Sequence, residues 1–247
     1  MSAQKKRLDL ILQEKMPLYS RQQIQSWIMQ GRVKINNVVM TKAGTLVAPD
    51  ADIHVDLQEP PYVSRAGLKL AAAVEFFAIN VHGLVALDAG LSTGGFTDCL
   101  LQHGVAHVYG IDVGYGQVHE KIRHDPRVTV MERTNLREVR TVGQLVDLVT
   151  LDLSFISVIK VMDAVCAVLK PHGKLLVLIK PQFEAGKHAV GKGGIVTDPK
   201  VHEQVIETIT QAICTRGFIC HGVMPSPILG TQGNKEFIAY FEHHLEK

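Results

Sequence analysis

The chain has 247 residues, 46% of them hydrophobic and 20% charged, a globular composition with room for one ordinary domain plus a small one. Its longest aliphatic runs, such as LLVLI at Leu175 to Ile179, fall far short of the roughly 18 apolar residues a membrane-spanning helix needs, and the lysines of MSAQKKRLDL have no apolar segment behind them as a secretory signal would. Four cysteines (Cys99, Cys166, Cys214, Cys220) without a CxxC pair fit reduced, buried thiols in a cytoplasm.

The net charge of +2 hides an asymmetry. Residues 1–42 carry eight Lys/Arg against two acids, residues 43–60 carry four acids and no base, and the remainder balances at 18 against 18. A basic cluster confined to one end suggests a polyanion-binding module joined to a neutral domain, with a solvated helix face as the plain alternative.

In chain order, KKRLDLILQEKM sets Leu8, Ile11 and Leu12 at helical spacing. SRQQIQSWIMQG opens on a Ser20 N-cap, places Ile24, Trp27 and Ile28 on one face and stops at Gly31. RVKINNVVM then alternates around an Asn-Asn turn, and DADIHVDL supplies another short strand. Residues 1–59 thus read as a small α+β domain near the lower size limit for independent folding. Pro60 and Pro61 suit neither a helix interior nor a central strand, which makes 60–63 a linker to a second domain at 64–247. SRQQIQSWIMQGRVKINN resembles the S4 RNA-binding module, departing from its pattern at Asn37, usually Gly, and at Ala43, often Pro. That resemblance implies RNA contacts from Lys5, Lys6, Arg7, Arg21, Arg32 and Lys34.

Beyond Tyr62 the pattern switches. LVALDAG, HVYGIDVG, VTVME, DLVTLDLSF and KLLVLIKP are short Val/Ile/Leu-rich runs, as expected of parallel strands covered on both faces. Helical segments such as GFTDCLLQHG and ISVIKVMDAVCAVLK lie between them, and the alternation predicts a doubly wound α/β sheet. TDPKVHEQVIETITQAICTRG reads as a helix with Asp198 as N-cap, Pro199 at its first position and Gly217 past its end. GFICHGVMPSP and NKEFIAYFEHH read as two further strands at the sheet edge.

The stretch DAGLSTGGFTD has two readings. G-L-S-T-G matches the G-x-S-x-G elbow that would make Ser92 a nucleophile, with acids and histidines nominated from later in the chain. The same residues form a glycine-rich turn in which Gly90, Gly94 and Gly95 let a cofactor approach backbone. Asp112, ending the next strand about 20 residues on, then takes the place of a ribose-binding acid. The second reading explains more residues. The loop lacks G-x-G-x-x-G, and an Asp88 carboxylate inside the turn would repel a pyrophosphate but attract a cation, which favours S-adenosylmethionine over a dinucleotide.

Four more residues extend the pattern: Lys69 in SRAGLKLAAAVEFF, Asp152 after the fourth strand, Lys180 after the fifth and Glu236 before the last. Together they resemble the Lys-Asp-Lys-Glu tetrad of FtsJ-type ribose 2'-O-methyltransferases. With the S4-like segment, YVSRAGLKL, DAGLSTGGFTDCLL, IDVGYGQ, LDLSFIS, LIKPQFEAG and GNKEF, nearly the whole chain is similar to the TlyA (hemolysin-A) family, with Leu91 standing where relatives often have a smaller residue. The resemblance implies a Rossmann-like methyltransferase sheet with an antiparallel last strand, behind a small S4 domain. It implies methyl transfer from S-adenosylmethionine to the 2'-hydroxyl of cytidine in ribosomal RNA, free or in ribosomal subunits. The catalytic residues it implies are Lys69, Asp152, Lys180 and Glu236. Cofactor contacts would come from Asp88, Gly90, Ser92, Thr93, Gly94, Gly95, Phe96, Asp112, Val113 and Asn135, and further RNA contacts from Arg65, Lys187 and Lys192.

Such a reaction must orient a weakly nucleophilic hydroxyl and relieve it of its proton, the task assigned to Lys180, either as neutral base or as a cation stabilising the alkoxide. EAGKHAVGKGGIVTD reads as a surface loop placed to serve as a lid or RNA clamp. No metal is expected, since HEKIRH is one residue too long for H-E-x-x-H and His103 and His107 straddle Gly104. Two other classes stay open. The family name records a hemolytic, membrane-damaging activity, against which the absence of a spanning segment speaks, and an RNA-binding protein with an inactive methyltransferase domain is the other.

Overall fold

The computed structural model describes residues 5–57 and 60–244, with Lys187 and Thr231 described by backbone alone. The expected domain end at residue 59 and the side chain of Lys187 therefore fall outside the described residues. The chain divides into two compact units, Met1–Pro60 and Pro61–Lys247.

In the first unit, a two-residue strand β1 (Lys6–Arg7) leads into α1 (Leu8–Lys15) and α2 (Arg21–Met29), followed by β2 (Val33–Ile35), β3 (Val38–Met40), β4 (Leu46–Val47) and β5 (Ile53–Val55). Ser20 caps α2 as expected and completes a capping box, accepting from Gln23 N–H at 3.2 Å while its own N–H donates to Gln23 Oε1 at 2.8 Å. Leu8, Ile11, Leu12, Ile24 and Ile28 pack with Val33, Ile35 and Val47 into one core. Asn36 and Asn37 take φ of 49° and 65°, the paired left-handed conformations of a two-residue hairpin, so Asn37 adopts the backbone glycine usually supplies. The antiparallel pairing of β1 with β4 was not anticipated, because two residues are too few to show a period.

The second unit contains α3 (Ala66–Phe76), β6 (Val85–Ala89), α4 (Gly95–Gln102), β7 (His107–Ile111), α5 (Glu120–Arg123), β8 (Val128–Met131), β9 (Val146–Leu151), α6 (Met162–Val168), β10 (Leu169–Ile179), α7 (Pro181–Glu184), α8 (Pro199–Cys214), β11 (Phe218–Pro225) and β12 (Phe237–His243). Its seven-stranded sheet runs β11-β12-β10-β9-β6-β7-β8. Strands β10, β9, β6, β7 and β8 are mutually parallel, and β12 runs against all the others, pairing antiparallel with both β10 and β11. Asp198 caps α8 at Lys200 N–H, Pro199 occupies its first turn, and Gly217 beyond its end has φ 83°.

Both faces of the sheet are covered. Leu87, Val149, Leu151, Leu175 and Val177 share one core with α6 and α8, whereas Ala86, Val108, Leu148, Leu176, Leu178 and Ile238 share the other with α3 and α4. This strict alternation decides below which strand residues can reach the ligand edge. The order reverses between β6 and β9, and a crevice at the carboxyl ends of the strands follows from that reversal. Tyr62 and Val63 pack on this unit: Gly67 leaves room for the Tyr62 ring, and Val63 N–H donates to Asp98 at 2.8 Å. Among the described residues no helix is long and apolar enough to cross a membrane.

Candidate active site

At that crevice lies a cavity of about 540 Å³, walled by the loops after β6, β7, β8 and β9. Five residues expected to meet a cofactor line it: Gly90, Ser92, Asp112, Val113 and Asn135. Asp112 also braces the site, since Oδ2 accepts from Ser92 N–H and Oδ1 from Gly114 N–H, both at 2.7 Å. That clasp holds Ser92 at φ 47° and joins the β6 and β7 loops. Among the described residues no histidine is hydrogen-bonded to Ser92, whose backbone N–H is tied to Asp112 instead. Asn135 turns its Oδ1 to Arg137 N–H at 3.2 Å, capping the short helical turn that follows. Gly110 gives space to the Leu91 side chain, which is buried beneath the loop.

Five other expected cofactor residues lie outside the cavity wall, and each has a packing reason. Asp88 alternates with Leu87 and Ala89, and so faces the α4 layer rather than the sheet edge. It is 1% exposed, its carboxylate accepts from Thr97 Oγ1 at 2.7 Å and Thr150 Oγ1 at 2.9 Å, and burial raises its pKa to about 6. Its oxygens are taken up by these two hydroxyls and it does not line the cavity, so it is not in place to contact a cation there as expected from the sequence. Thr93 directs its carbonyl to His119 N–H, 3.1 Å away. Gly94, at φ 96°, caps α4 where a Cβ would press on Ile122, and Gly95 makes room for Ser64. Phe96 is buried in the core under α3. Even Gly90, which does line the cavity, is glycine for a different reason than expected. At φ 88° its Cβ would overlap the Asp152 carbonyl, so the bare backbone accommodates a neighbouring strand end.

The four residues expected to act in catalysis share a face. Asp152, Lys180 and Glu236 continue the alternation of Thr150, Leu178 and Ile238, toward the layer of α3 that carries Lys69. The antiparallel register Ile179↔Phe237 sets Lys180 and Glu236 across from each other just past the last pair. They form two ion pairs: Lys180 Nζ to Asp152 Oδ1 and Lys69 Nζ to Glu236 Oε2, each 2.6 Å. Lys69, Lys180 and Glu236 are buried, and Gly230 leaves the space that the Glu236 carboxylate fills. Lys180 Nζ also donates to Ser154 Oγ at 3.0 Å. Asp152 belongs to the cavity wall, which connects this pair to the ligand space.

The expected RNA-binding residues differ in how free they are. Lys5 and Lys34 are exposed, while exposed Lys6 pairs with Glu14 at 3.0 Å. Arg7 and Arg21 both clamp Asp9, which is wholly buried and also accepts from Gln25 at 2.8 Å. Arg32 lies over the Trp27 ring at 5.5 Å and donates to the Asp56 carbonyl. In the second unit Arg65 and Lys192 are exposed.

Several wall residues escaped the sequence reading: Gly114, Gln117, Thr134, Ser154 and Phe155. Phe155 is 90% exposed at φ 65°, its ring 5.0 Å from that of Phe183. A large aromatic residue three positions after the strand-end acid Asp152 was the available signal.

Comparison with known proteins agrees with this geometry. An FtsJ-like methyltransferase model matches residues 62–243, and an S4 domain model matches residues 6–53. YqxC of Bacillus subtilis is 41% identical over 97% of this chain and 86% of its own. The 16S/23S rRNA (cytidine-2'-O)-methyltransferase TlyA of Mycobacterium tuberculosis is 40% identical over 99% of this chain and 92% of its own. A solved structure from Streptococcus thermophilus that carries the hemolysin name is 36% identical, with a TM-score of 0.77 over 98% of this chain and 89% of that one. An S-adenosylmethionine dependent methyltransferase from Mesorhizobium loti shares the fold of the second unit, with a TM-score of 0.52 at 18% identity over 70% of this chain and 96% of that one. The chain belongs to the FtsJ-like methyltransferase family, in the TlyA branch that carries an S4 domain.

Proposed function

We propose that this chain transfers a methyl group from S-adenosylmethionine to the ribose 2'-hydroxyl of cytidine in ribosomal RNA. The observation that carries the reading is the Lys180–Asp152 pair, 2.6 Å apart, at the wall of a cavity of about 540 Å³. That volume suits a ligand of nucleoside size. Asp112 and Asp152 give the wall two carboxylates, which complement a ligand carrying a sulfonium and an ammonium. Gly90 and Ser92 would hold it through their backbone, Asp112 through its ribose hydroxyls, and Asn135 from the β8 side. Bound there, S-adenosylmethionine supplies an electrophilic methyl group.

The residues of the chain then have to position an acceptor hydroxyl and take up the charge that develops on it. Lys180 Nζ is the proposed contact to that oxygen, and the Asp152 carboxylate beside it is the nearest acceptor for the departing proton. Lys69, held by Glu236, adds a second ammonium on the same face. Phe155, exposed on the cavity wall, offers a ring on which a base can stack. The first unit supplies phosphate contacts through Lys5, Lys6, Arg7, Arg21, Arg32 and Lys34, and the second through Arg65, Lys187 and Lys192. Ribosomal RNA and cytidine as the acceptor are supported by the names of the relatives.

Calorimetric titration with S-adenosylmethionine, alone and with ribosomal RNA, tests the cavity. Saturable binding that Asp112→Ala weakens supports the assignment. A folded wild type that binds no S-adenosylmethionine in either titration refutes it.

A further inference from the structure

We infer that Ser154 is a positioning residue for methyl transfer: by accepting a hydrogen bond from Lys180 Nζ, it fixes the rotation of that ammonium and so aims its third donor at the acceptor oxygen. The inference rests on the reading of Lys180 as the group that meets the hydroxyl.

An ammonium carries three donors in tetrahedral array on a flexible four-carbon stem. With a single partner it spins about the line joining nitrogen and acceptor, and its other two donors sweep a cone. A second partner stops the spin, and the direction of the third donor is then determined. Lys180 has both partners: Asp152 Oδ1 at 2.6 Å and Ser154 Oγ at 3.0 Å. Its side chain is only 10% exposed, and the Phe183 ring lies 6.0 Å from Nζ, so packing confines the stem as well. Ser154 and Asp152 both belong to the cavity wall, so the two groups that hold the ammonium border the ligand space.

The usual duty of a serine after a strand does not account for Ser154. Ser20 and Ser157 accept from backbone N–H groups of the helical turns they open, Gln23 and Ile159 respectively. Ser154 opens no such turn, and among the described residues its side-chain hydrogen bond is the one from Lys180. Lys69 makes a useful contrast, because its partner among the described residues is a single carboxylate, Glu236. Among the described residues one lysine is held at one point and the other at two, which suits the doubly held one for directing a hydrogen bond.

The test is steady-state methyl transfer from labelled S-adenosylmethionine to ribosomal RNA by wild type, Ser154→Ala, Ser154→Thr, Ser154→Val, Lys180→Ala and the Ser154→Ala/Lys180→Ala double variant. Losing a hydrogen bond to a charged group predicts kcat falling roughly 10- to 100-fold in Ser154→Ala, with KM for S-adenosylmethionine near wild type. Thr keeps the oxygen and Val has the same shape without it, so activity should return in Ser154→Thr and not in Ser154→Val. The double variant should be no slower than Lys180→Ala alone, since Ser154 acts through that lysine. Wild-type kcat in Ser154→Ala, equal activity of Thr and Val variants, or fully multiplicative losses in the double variant would overturn the inference and leave the proposed function standing. A folded wild type that transfers no methyl group overturns both.

Discussion

Asp88 offers a sharp test of how the cofactor turn is built. The carboxyl is 1% exposed, faces the α4 layer, and burial raises its pKa from 3.8 to about 6. Below pH 3.8 folded and unfolded chains both hold the proton, and the group contributes nothing to pH dependence. As pH rises from there toward 6, the unfolded chain releases its proton while the folded chain keeps it, so stability falls. Above 6 the cost is constant at about 3 kcal/mol, from 1.36 kcal/mol per pKa unit. Asp88→Asn removes the titration and keeps the shape. Losing one of the two hydroxyl contacts, from Thr97 or Thr150, adds an offset of about 1 kcal/mol that does not vary with pH. The stability of Asp88→Asn relative to wild type should therefore rise by about 2 kcal/mol between pH 4.5 and pH 8. Urea unfolding followed by circular dichroism reads this in the second unit, and Trp27, the single tryptophan, reports the first unit separately. Ligand affinity at the cavity should stay near that of wild type. A stability difference between the two proteins that is the same at both pH values would refute the reasoning.

Other expectations follow from single contacts. Gly90→Ala combines φ 88° with overlap on the Asp152 carbonyl, and should cost more than about 2 kcal/mol in urea unfolding while abolishing S-adenosylmethionine binding. In the first unit, the Arg7 guanidinium, with Gln25 and Arg21, holds the Asp9 carboxyl well below the usual carboxylate range. The stability this contributes is present at neutral pH and lost as pH falls below about 4, and Trp27 fluorescence should show Asp9→Asn to be destabilised at pH 7 with a flatter acid limb. Lys34→Ala, at an exposed lysine, should weaken RNA binding uniformly across sequences and lower the slope of log K against log salt by about 1.

What the sequence revealed tracks the length scale of each signal. Strands β6 to β10 each contain a short Val/Ile/Leu-rich run between helical segments, so the doubly wound sheet was legible, as were the Ser20 and Asp198 caps, which are fixed by residue type and offset. Lys69, Asp152, Lys180 and Glu236 were gathered by their resemblance to the tetrad of FtsJ-type methyltransferases, and the fold shows what joins them: each lies at or near a strand end or on the covering helix, and the strand members share one parity. The same parity, applied to Leu87-Asp88-Ala89, would have turned Asp88 inward. Gly94 and Gly95 were assigned to a ligand, whereas Ile122 and Ser64 account for them, contacts between residues distant in sequence that no local pattern encodes. Phe155 and Ser154 were missed for a related reason: the value of a residue in a strand-end loop depends on which neighbour the turn brings to it, here Phe183 and Lys180.

The central claim is that Lys180 and Asp152 direct a methyl group to a ribose hydroxyl. The most direct test is to incubate the protein with labelled S-adenosylmethionine and ribosomal RNA, digest the RNA to nucleosides and identify the labelled one, with Lys180→Ala in parallel. The account predicts label in 2'-O-methylcytidine and a fall of roughly 100-fold or more in rate for the variant, with S-adenosylmethionine binding retained. Label on a base, or undiminished transfer by Lys180→Ala, would contradict it.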